Sequence, residues 1–335
     1  MDAKTGRAPV IIGTGSAWPQ RAVSNLDLQN IVDTSDEWIT RRTGIRQRFI
    51  ARADQNEETS DLAASASLAA LEMAGKTPAD LDMIILGTVT GDKPFPACAC
   101  LVQEKIKAKK AAAFDISAGC SGFIYSLSMA ENLIKAGQCD TVLVIGVDRI
   151  SVMLDWKDRA NCVLFGDGAG AVVVTAGDGP EKILSTHIRS DGACWDMLYG
   201  EYGAPYVHPS LEPIQPKPFH VVMEGNRVFK KAVSSMASLS HEALKANNLT
   251  GEDIALLIPH QANMRIITAL AERVNVDMDR VYTNIDRFGN TSSGSIPIAL
   301  DEAHRKGIIQ KGDHVLLVTF GAGPTWGASV VSWGI

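Results

Sequence analysis

Two nine-residue stretches half a chain apart constrain the fold more than any other feature of the sequence. Thr77-Pro-Ala-Asp-Leu-Asp-Met-Ile-Ile85 aligns without gaps to Thr250-Gly-Glu-Asp-Ile-Ala-Leu-Leu-Ile258, an offset of 173 in a chain of 335 residues. Each copy follows a helix-patterned segment with Ala-Leu at the same offset, Ala70-Leu71 and Ala243-Leu244. Further on, Gly119-Cys120 corresponds to Gly289-Asn290, each before a helix, at an offset of 170 (119 to 289). Strands alternate with helices in both copies, which predicts a duplicated α/β chain with two similar sheets and helices between and outside them. Asp178-Gly-Pro180 marks the midpoint, dividing the chain into halves 1–177 and 178–335. Equivalent loops would then meet across a pseudo-twofold axis, with Cys120, His260 and Asn290 at one central place.

The elements follow from periodicity and punctuation. Val10–Gly15 reads as a strand, Asn25–Val32 as a short helix, and Thr34-Ser-Asp-Glu37 as the cap of a second helix through Trp38. Thr59–Ala74 is an Ala-rich helix with Leu62, Ala66, Ala69, Ala70 and Met73 on one face. Leu81–Leu86 and Thr141–Gly146 are strands, and a helix surrounds Cys98–Lys107. The apolar run Ala111–Ile116 is expected to be a buried strand, followed by a tight turn and a helix from Ser121 to Ala136 that Gly137 stops. Cys162–Phe165 and Ala169–Val174 are expected as two strands joined by a hairpin at Gly166-Asp-Gly168. In the second half come a strand at Lys182–Arg189, a helix at Asn226–Ala246 and a strand at Ile254–Ile258. Helices at Met264–Val274 and Ile296–Lys306 and strands at His314–Phe320 and Gly327–Trp333 complete it. The Pro- and aromatic-rich segment Gly192–Phe219, with Trp195, Tyr199, Tyr202 and Tyr206, lacks periodicity and is long for a connection, which marks a functional or partner-facing loop.

Composition narrows the chemistry. A net charge of −6 argues against a dedicated nucleic-acid binder, and the apolar runs are strand-sized, too short to span a membrane. Met1–Pro9 has no apolar core of the signal-peptide kind, so the cytoplasm is the expected location. The six cysteines include no C-x-x-C, and the seven histidines no H-E-x-x-H, so free thiols and no metal site are expected. Gly13-x-Gly15 after a strand invites a dinucleotide reading, but a third glycine is missing and Trp18-Pro19 stands where the helix should begin.

Cys120, at the mouth of a helix, sits where unpaired N–H groups and the helix dipole favour a thiolate nucleophile. His260 ends an apolar strand, in Ile258-Pro-His-Gln-Ala-Asn-Met-Arg265, and Asn290 lies in the small-residue loop Phe288–Ser295. Taken singly, a buried core cysteine, a hydrogen-bonded histidine and a capping asparagine are sound structural readings. Jointly, Cys, His and Asn suit acyl transfer followed by carbon–carbon bond formation. The thiol would hold an acyl group as a thioester, and two neutral donors would stabilise an enolate oxygen. Gly321-Ala-Gly323 offers backbone N–H groups for a tetrahedral oxyanion, Ala322 acting with that of Cys120 itself. Trp38 beside Arg41-Arg42 reads either as an amphipathic helix with a solvated basic face or as an aromatic-and-cation platform for a nucleotide.

Ser117-Ala-Gly-Cys-Ser-Gly122, Pro259-His-Gln-Ala-Asn-Met-Arg265, Gly289-Asn-Thr-Ser292 and Phe320-Gly-Ala-Gly-Pro-Thr-Trp-Gly327 together resemble the motifs of β-ketoacyl-[acyl carrier protein] synthase III, in the family's order and across nearly the whole chain. This is the initiating condensing enzyme of type II fatty-acid synthesis, in the thiolase superfamily. The resemblance implies a thiolase-like layered αβαβα architecture. It implies transfer of acetyl or another short acyl group from coenzyme A to Cys120, then decarboxylative condensation with malonyl-acyl carrier protein. Coenzyme A would enter as the thioester substrate, and no cofactor is called for. Trp38 and Arg159 would flank its adenine, Arg42 would bind phosphates with Thr34 alongside, and Gly225, Asn226, Phe229 and Asn263 would line the pantetheine tunnel. Lys230, Lys231 and Arg265 would meet the acidic carrier protein, and Phe95 of a homodimer would reach into the partner's acyl pocket. Ala322 is glycine in some members, a change its backbone N–H survives. A rival reading is a relative that uses the same triad in secondary metabolism. Another is a non-catalytic acyl-coenzyme A or carrier-protein binding module.

Overall fold

The structure, a computed structural model, describes residues 7–201 and 220–335. Most of the Gly192–Phe219 segment, with Tyr202 and Tyr206, and the first six residues therefore lie outside the described residues. In the first half, β1 (Ala8–Ala17) precedes a small two-stranded unit, β2 (Ala22–Ser24) and β3 (Gln47–Phe49), which frames α1 (Asn25–Leu28) and α2 (Asp36–Thr43). Then come α3 (Thr59–Ala74), β4 (Met83–Gly87), α4 (Cys98–Ile106), β5 (Ala112–Ile116), α5 (Gly122–Lys135), β6 (Thr141–Arg149) and β7 (Asp167–Gly177). The second half runs β8 (Lys182–Ser190), β9 (Leu198–Gly200), β10 (Val221–Met223), α6 (Gly225–Ala246), β11 (Leu256–Pro259) and α7 (Met264–Val274). It closes with α8 (Ile285–Phe288), α9 (Ser295–Arg305), β12 (His314–Gly321) and β13 (Thr325–Ser332). No described helix is long and apolar enough to cross a membrane.

The duplication is visible in the sheets. The first has the order β1-β7-β6-β4-β5 and the second β8-β13-β12-β11, with the same senses of pairing at equivalent positions. An isolated parallel bridge between Leu257 and Val281 stands where the second sheet would carry a fifth strand. The two nine-residue stretches fold alike. In each, a carboxylate takes the threonine's backbone N–H and its hydroxyl: Asp80 from Thr77 at 2.7 and 2.7 Å, Asp253 from Thr250 at 2.7 and 2.8 Å.

Alternation along β6 and β12 sends successive side chains to opposite faces, and these faces build three apolar cores. Val144 and Leu317 point into the central one, filled by Phe123 and Leu127 of α5 and Ile296 and Leu300 of α9. Leu143 and Ile145 meet α3 and α4 on the outside of the first sheet, and Leu316 and Val318 meet α6 and α7 on the outside of the second. The result is a layered αβαβα molecule. Each of these buried aliphatic side chains contributes roughly 1.5–3 kcal/mol. Gly13 and Gly15 belong to this packing and not to a nucleotide loop. A Cβ on Gly13 would lie 2.4 Å from the Ala70 carbonyl oxygen, and one on Gly15 2.3 Å from that of Ala66, so their bareness lets α3 lie directly on β1.

Five local expectations change. Cys162–Phe165 is a buried turn and not a strand, and no hairpin forms at Gly166–Gly168 because β7 already begins at Asp167. Its apolar residues are buried because they floor the site described below. Ala111–Ile116 does form a strand, but β5 is a sheet edge and only part-buried, with Ala112 exposed. The helix expected over Asn25–Val32 stops at Leu28 and unwinds into a turn. Ser35, not Thr34, caps α2, its hydroxyl accepting the Trp38 N–H at 3.1 Å. Finally, the tight turn at Gly119–Ser121 matches Ser292–Gly294, an offset of 173 (119 to 292), so the counterpart of Cys120 is Ser293 and Asn290 sits three residues ahead of it.

Candidate active site

Cys120 occupies the short 3-10 turn Gly119–Ser121 that leads straight into α5 at Gly122. Gly119 has φ +54°, and a Cβ there would come within 2.6 Å of the Ala322 nitrogen. A Cβ on Gly321 would likewise lie 2.6 Å from the Cys120 nitrogen. Two bare positions thus bring the loops of the two halves into backbone contact and set the N–H groups of Cys120 and Ala322 side by side. Hydroxyls lock the junction: Thr319 donates to the Cys120 carbonyl at 3.0 Å, Thr325 to that of Ala118 at 2.7 Å, and Ser121 to that of Thr325 at 3.1 Å. Ser292 Oγ lies 3.3 Å from Cys120 Sγ. Burial pushes the Cys120 thiol up to about 12, the Asp148 charge adding to it and the Ser292 hydroxyl and the residue's own N–H opposing it. The thiolate expected from helix position alone is therefore not the resting state, because desolvation outweighs the favourable helix end.

His260 follows β11, its N–H donating to the Val318 carbonyl of β12 at 2.7 Å. Its Nδ1 is 2.6 Å from the hydroxyl of Ser295, the first residue of α9. The Gln261 N–H is aimed at the same hydroxyl oxygen at 3.4 Å, so Ser295 can give its proton to Nδ1, and the imidazole then carries its own proton on Nε2. Burial drives the ring down to about 3, so it is neutral.

Asn290 is held at both ends. Its N–H donates to Leu164 at 2.8 Å, its carbonyl accepts from Gly166 at 3.0 Å, and its Oδ1 accepts the Ser292 N–H at 2.8 Å. That last bond fixes the amide so that its NH2 end is the free donor. The Cys162–Phe165 turn beneath it is anchored by buried Arg48, which donates to the Val163 carbonyl at 2.7 Å and to Asn25 Oδ1 at 2.8 Å. Burial without a carboxylate lowers Arg48 to about 10.

These residues line a cavity of about 1030 Å³. Cys120, His260, Asn290 and Ala322 lie on its wall, as do Trp38, Arg42, Arg159, Gly225, Asn226, Phe229, Asn263 and Arg265. The guanidiniums of Arg42 and Arg159 lie 4.7 and 5.1 Å from the Trp38 ring centre, an aromatic ring in contact with two cations. Asn263 caps α7 through Oδ1, which accepts the Arg265 N–H at 2.9 Å. Four named residues are not on the wall. Thr34 is set back, with its hydroxyl buried and unpartnered among the described residues. Phe95 stands out from the surface at 85% exposure, while its neighbours Lys93 and Pro94 reach the cavity. Lys230 is exposed, and Lys231 is bound to Asp191 at 2.6 Å and lies over Trp326, which ties up its charge. Sequence reasoning passed over Ser292, Ser295 and Asp148. The last left a signal, a carboxylate directly after the apolar run Val142–Val147 of β6.

Known proteins share this arrangement of chain. Residues 114–192 match the family model described as 3-oxoacyl-[acyl-carrier-protein (ACP)] synthase III, and residues 244–333 match that of its C-terminal part. The β-ketoacyl-[acyl-carrier-protein] synthase III of Caldanaerobacter subterraneus is 51% identical over 323 residues, covering 96% of this chain and 97% of the relative. The crystal structure of 3-oxoacyl-[acyl-carrier-protein] synthase III from Aquifex aeolicus is similar at a TM-score of 0.91 and 46% identity, covering 97% of this chain and all of that one (100%). The priming β-ketosynthase of the R1128 polyketide pathway is similar at a TM-score of 0.90 and 35% identity, covering 98% of this chain and 97% of that one.

Proposed function

The chain belongs to the β-ketoacyl-[acyl carrier protein] synthase III family, acyltransferases that carry out the initiating condensation of fatty-acid synthesis, and from that membership we propose how its own residues divide the reaction. The carrying observation is that Cys120, a neutral His260 and an amide-oriented Asn290 share one cavity wall. Cys120 takes an acyl group, acetyl in the first instance, from coenzyme A. The tetrahedral oxygen formed in that step is held by the N–H groups of Cys120 and Ala322. Malonyl-acyl carrier protein then enters and loses carbon dioxide. His260 Nε2 and Asn290 Nδ2 donate to the thioester oxygen that becomes an enolate, and its carbon attacks the acyl-Cys120. A carboxylate in either place would repel that charge, whereas two neutral donors stabilise it.

Trp38 and Arg159 would sandwich the adenine, with Arg42 on the phosphates and Thr34 behind them, and Gly225, Asn226, Phe229 and Asn263 would line the pantetheine path. Carrier-protein docking falls to Lys230 and Arg265, with Lys231 in a lesser part because Asp191 already holds it. The halves 1–177 and 178–335 are the domain division that fits this reading, the first supplying the nucleophile and the second the two donors. A homodimer fits the edge position of β5 and the protruding Phe95, and a cytoplasmic location fits thioester substrates of this kind.

Incubation with acetyl-coenzyme A should leave an acetyl group on Cys120, read by mass spectrometry of the digest, and absence of any acyl adduct there would end this reading. Cys120→Ser should abolish acyl transfer, while His260→Ala and Asn290→Ala should chiefly impair malonyl decarboxylation. Normal decarboxylation in both would remove the enolate role.

A further inference from the structure

The two enolate donors come from separate pieces of chain. His260 follows β11 and Asn290 follows α8, an offset of 30 (260 to 290). One side chain spans the gap between those pieces. Gln261, next to the imidazole, is 1% exposed. Its Nε2 donates to the Pro259 carbonyl at 2.8 Å and to that of Tyr282 at 3.2 Å. Its Oε1 accepts the N–H groups of Asn284 at 3.0 Å and Ile285 at 3.2 Å. A carboxamide has two N–H donors and an oxygen with two lone pairs, so all four of its bonds are made. Two carbonyls on one side and two N–H groups on the other leave the amide a single orientation.

The N–H groups at the start of α8 need a partner, and a short polar side chain at Asn284 would ordinarily supply it. Asn284 instead donates through Nδ2 to Glu302 at 3.0 Å, and the cap comes from Gln261, 23 residues away in sequence. From that cap to the amide donor the chain has no slack. The Phe288 N–H donates to the Asn284 carbonyl at 3.1 Å and the Gly289 N–H to that of Ile285 at 2.9 Å, and Asn290 follows directly. On its other side, the Gln261 N–H donates at 3.4 Å to the Ser295 hydroxyl that holds the imidazole. One residue thus supports the ring of His260 and the base of the helix that delivers Asn290.

We propose that Gln261 is a positioning residue that sets the separation of His260 Nε2 and Asn290 Nδ2, so that both reach one enolate oxygen. This rests on the enolate reading above. Two donors stabilise a developing charge fully only when both are in place before it forms. A displacement of about 1 Å at either one is enough to cost about 10²-fold in rate. Among the described residues, no hydrogen bond of Gln261 reaches the Gly119–Ser121 turn or Ala322, where acylation takes place. Its loss should therefore fall on decarboxylation much more than on acylation.

Gln261→Met keeps the length of the side chain and removes all four bonds. Decarboxylation of malonyl-acyl carrier protein by this variant should fall by about 10²-fold relative to acylation by acetyl-coenzyme A, with the loss in kcat and not in KM. Gln261→Glu keeps the size and both acceptors but sets a carboxylate against two carbonyls. Its loss should shrink as pH is lowered, because the protonated acid regains one donor, and this variant carries the test if the methionine variant does not fold. In an Asn290→Ala background, where one donor remains to be placed, Gln261→Met should cost much less than in the native enzyme. A native ratio of decarboxylation to acylation in the variants, whether or not both rates fall together, would make Gln261 an ordinary core support and overturn the proposal. The same factor in both backgrounds would overturn it too. Unimpaired decarboxylation in both His260→Ala and Asn290→Ala would instead sink the enolate reading itself.

Discussion

The residues of the site are set by desolvation more than by their place on an element. Cys120 stands at the start of a helix, as its sequence neighbourhood suggested, yet its thiol is raised to about 12, because the sequence shows the helix end and not the protein packed over it. For His260 the same burial is useful, since a ring lowered to about 3 donates a hydrogen bond without carrying charge. This has a measurable consequence. In the unfolded chain the ring protonates near its ordinary 6.5, while the folded ring stays neutral to about 3. Below pH 6.5 the unfolded state therefore binds the extra proton, and stability falls as pH falls, by about 1.4 kcal/mol per unit for one fully differential proton. Urea midpoints from pH 7 to 4 should drop more steeply in the native protein than in His260→Gln. Parallel profiles would place a charged histidine in the fold. The neighbours that tune these groups come from two distant parts of the chain, Asp148 from the first half and Ser292 and Ser295 from one loop of the second, and no local pattern joined them to Cys120.

At the scale of elements, legibility followed periodicity. The helix Thr59–Ala74 was readable to the residue, because its alanine face, its start and its Gly75 stop are all local signals. Cys162–Phe165 was not, because a buried apolar run looks the same whether it forms a strand or a turn pinned by Arg48 beneath Asn290. The pairing of Gly119-Cys120 with Gly289-Asn290 slipped by three residues for a related reason: both turns are small-residue runs, and only the backbone shows that 119 aligns with 292. Gly13-x-Gly15 is the clearest case of a motif whose meaning lay in packing. A methyl on Gly15 would sit 2.3 Å from the Ala66 oxygen and 2.5 Å from the Ala70 nitrogen, so α3 would have to lift off β1. Gly15→Ala should cost about 1–3 kcal/mol, the usual penalty for overpacking. Gly192→Ala, at a site with nothing within 4 Å of the added carbon, should be nearly neutral. Equal midpoints for the two variants would mean that the helix does not rest on these glycines.

For the whole molecule, the half-chain repeat foretold two sheets and a shared site, but not that the sheets end differently. The second sheet closes with a single bridge at Val281, whereas the first ends in β5, a part-buried strand whose outer edge has no neighbouring strand among the described residues. Such an edge, apolar through Ala113, Phe114 and Ile116, is a template for pairing with a second copy, which would run it antiparallel about a twofold axis. Phe95, 85% exposed between the cavity-lining Pro94 and α4, would then be covered by the partner and could reach its acyl site. Ala112 is exposed on the same strand, so Ala112→Lys would place a charge on each copy of the pairing edge, a change that disfavours edge-to-edge pairing. The native protein is expected to sediment at twice its 35.9 kDa, and Ala112→Lys is expected to shift toward the single mass at low concentration. Acylation with a graded series of acyl-coenzyme A thioesters should change in chain-length preference along with that shift, because a monomer lacks the partner's Phe95. A variant that becomes monomeric yet keeps the native preference would confine the acyl pocket to one chain, and a native protein that sediments as a monomer would remove the shared pocket altogether.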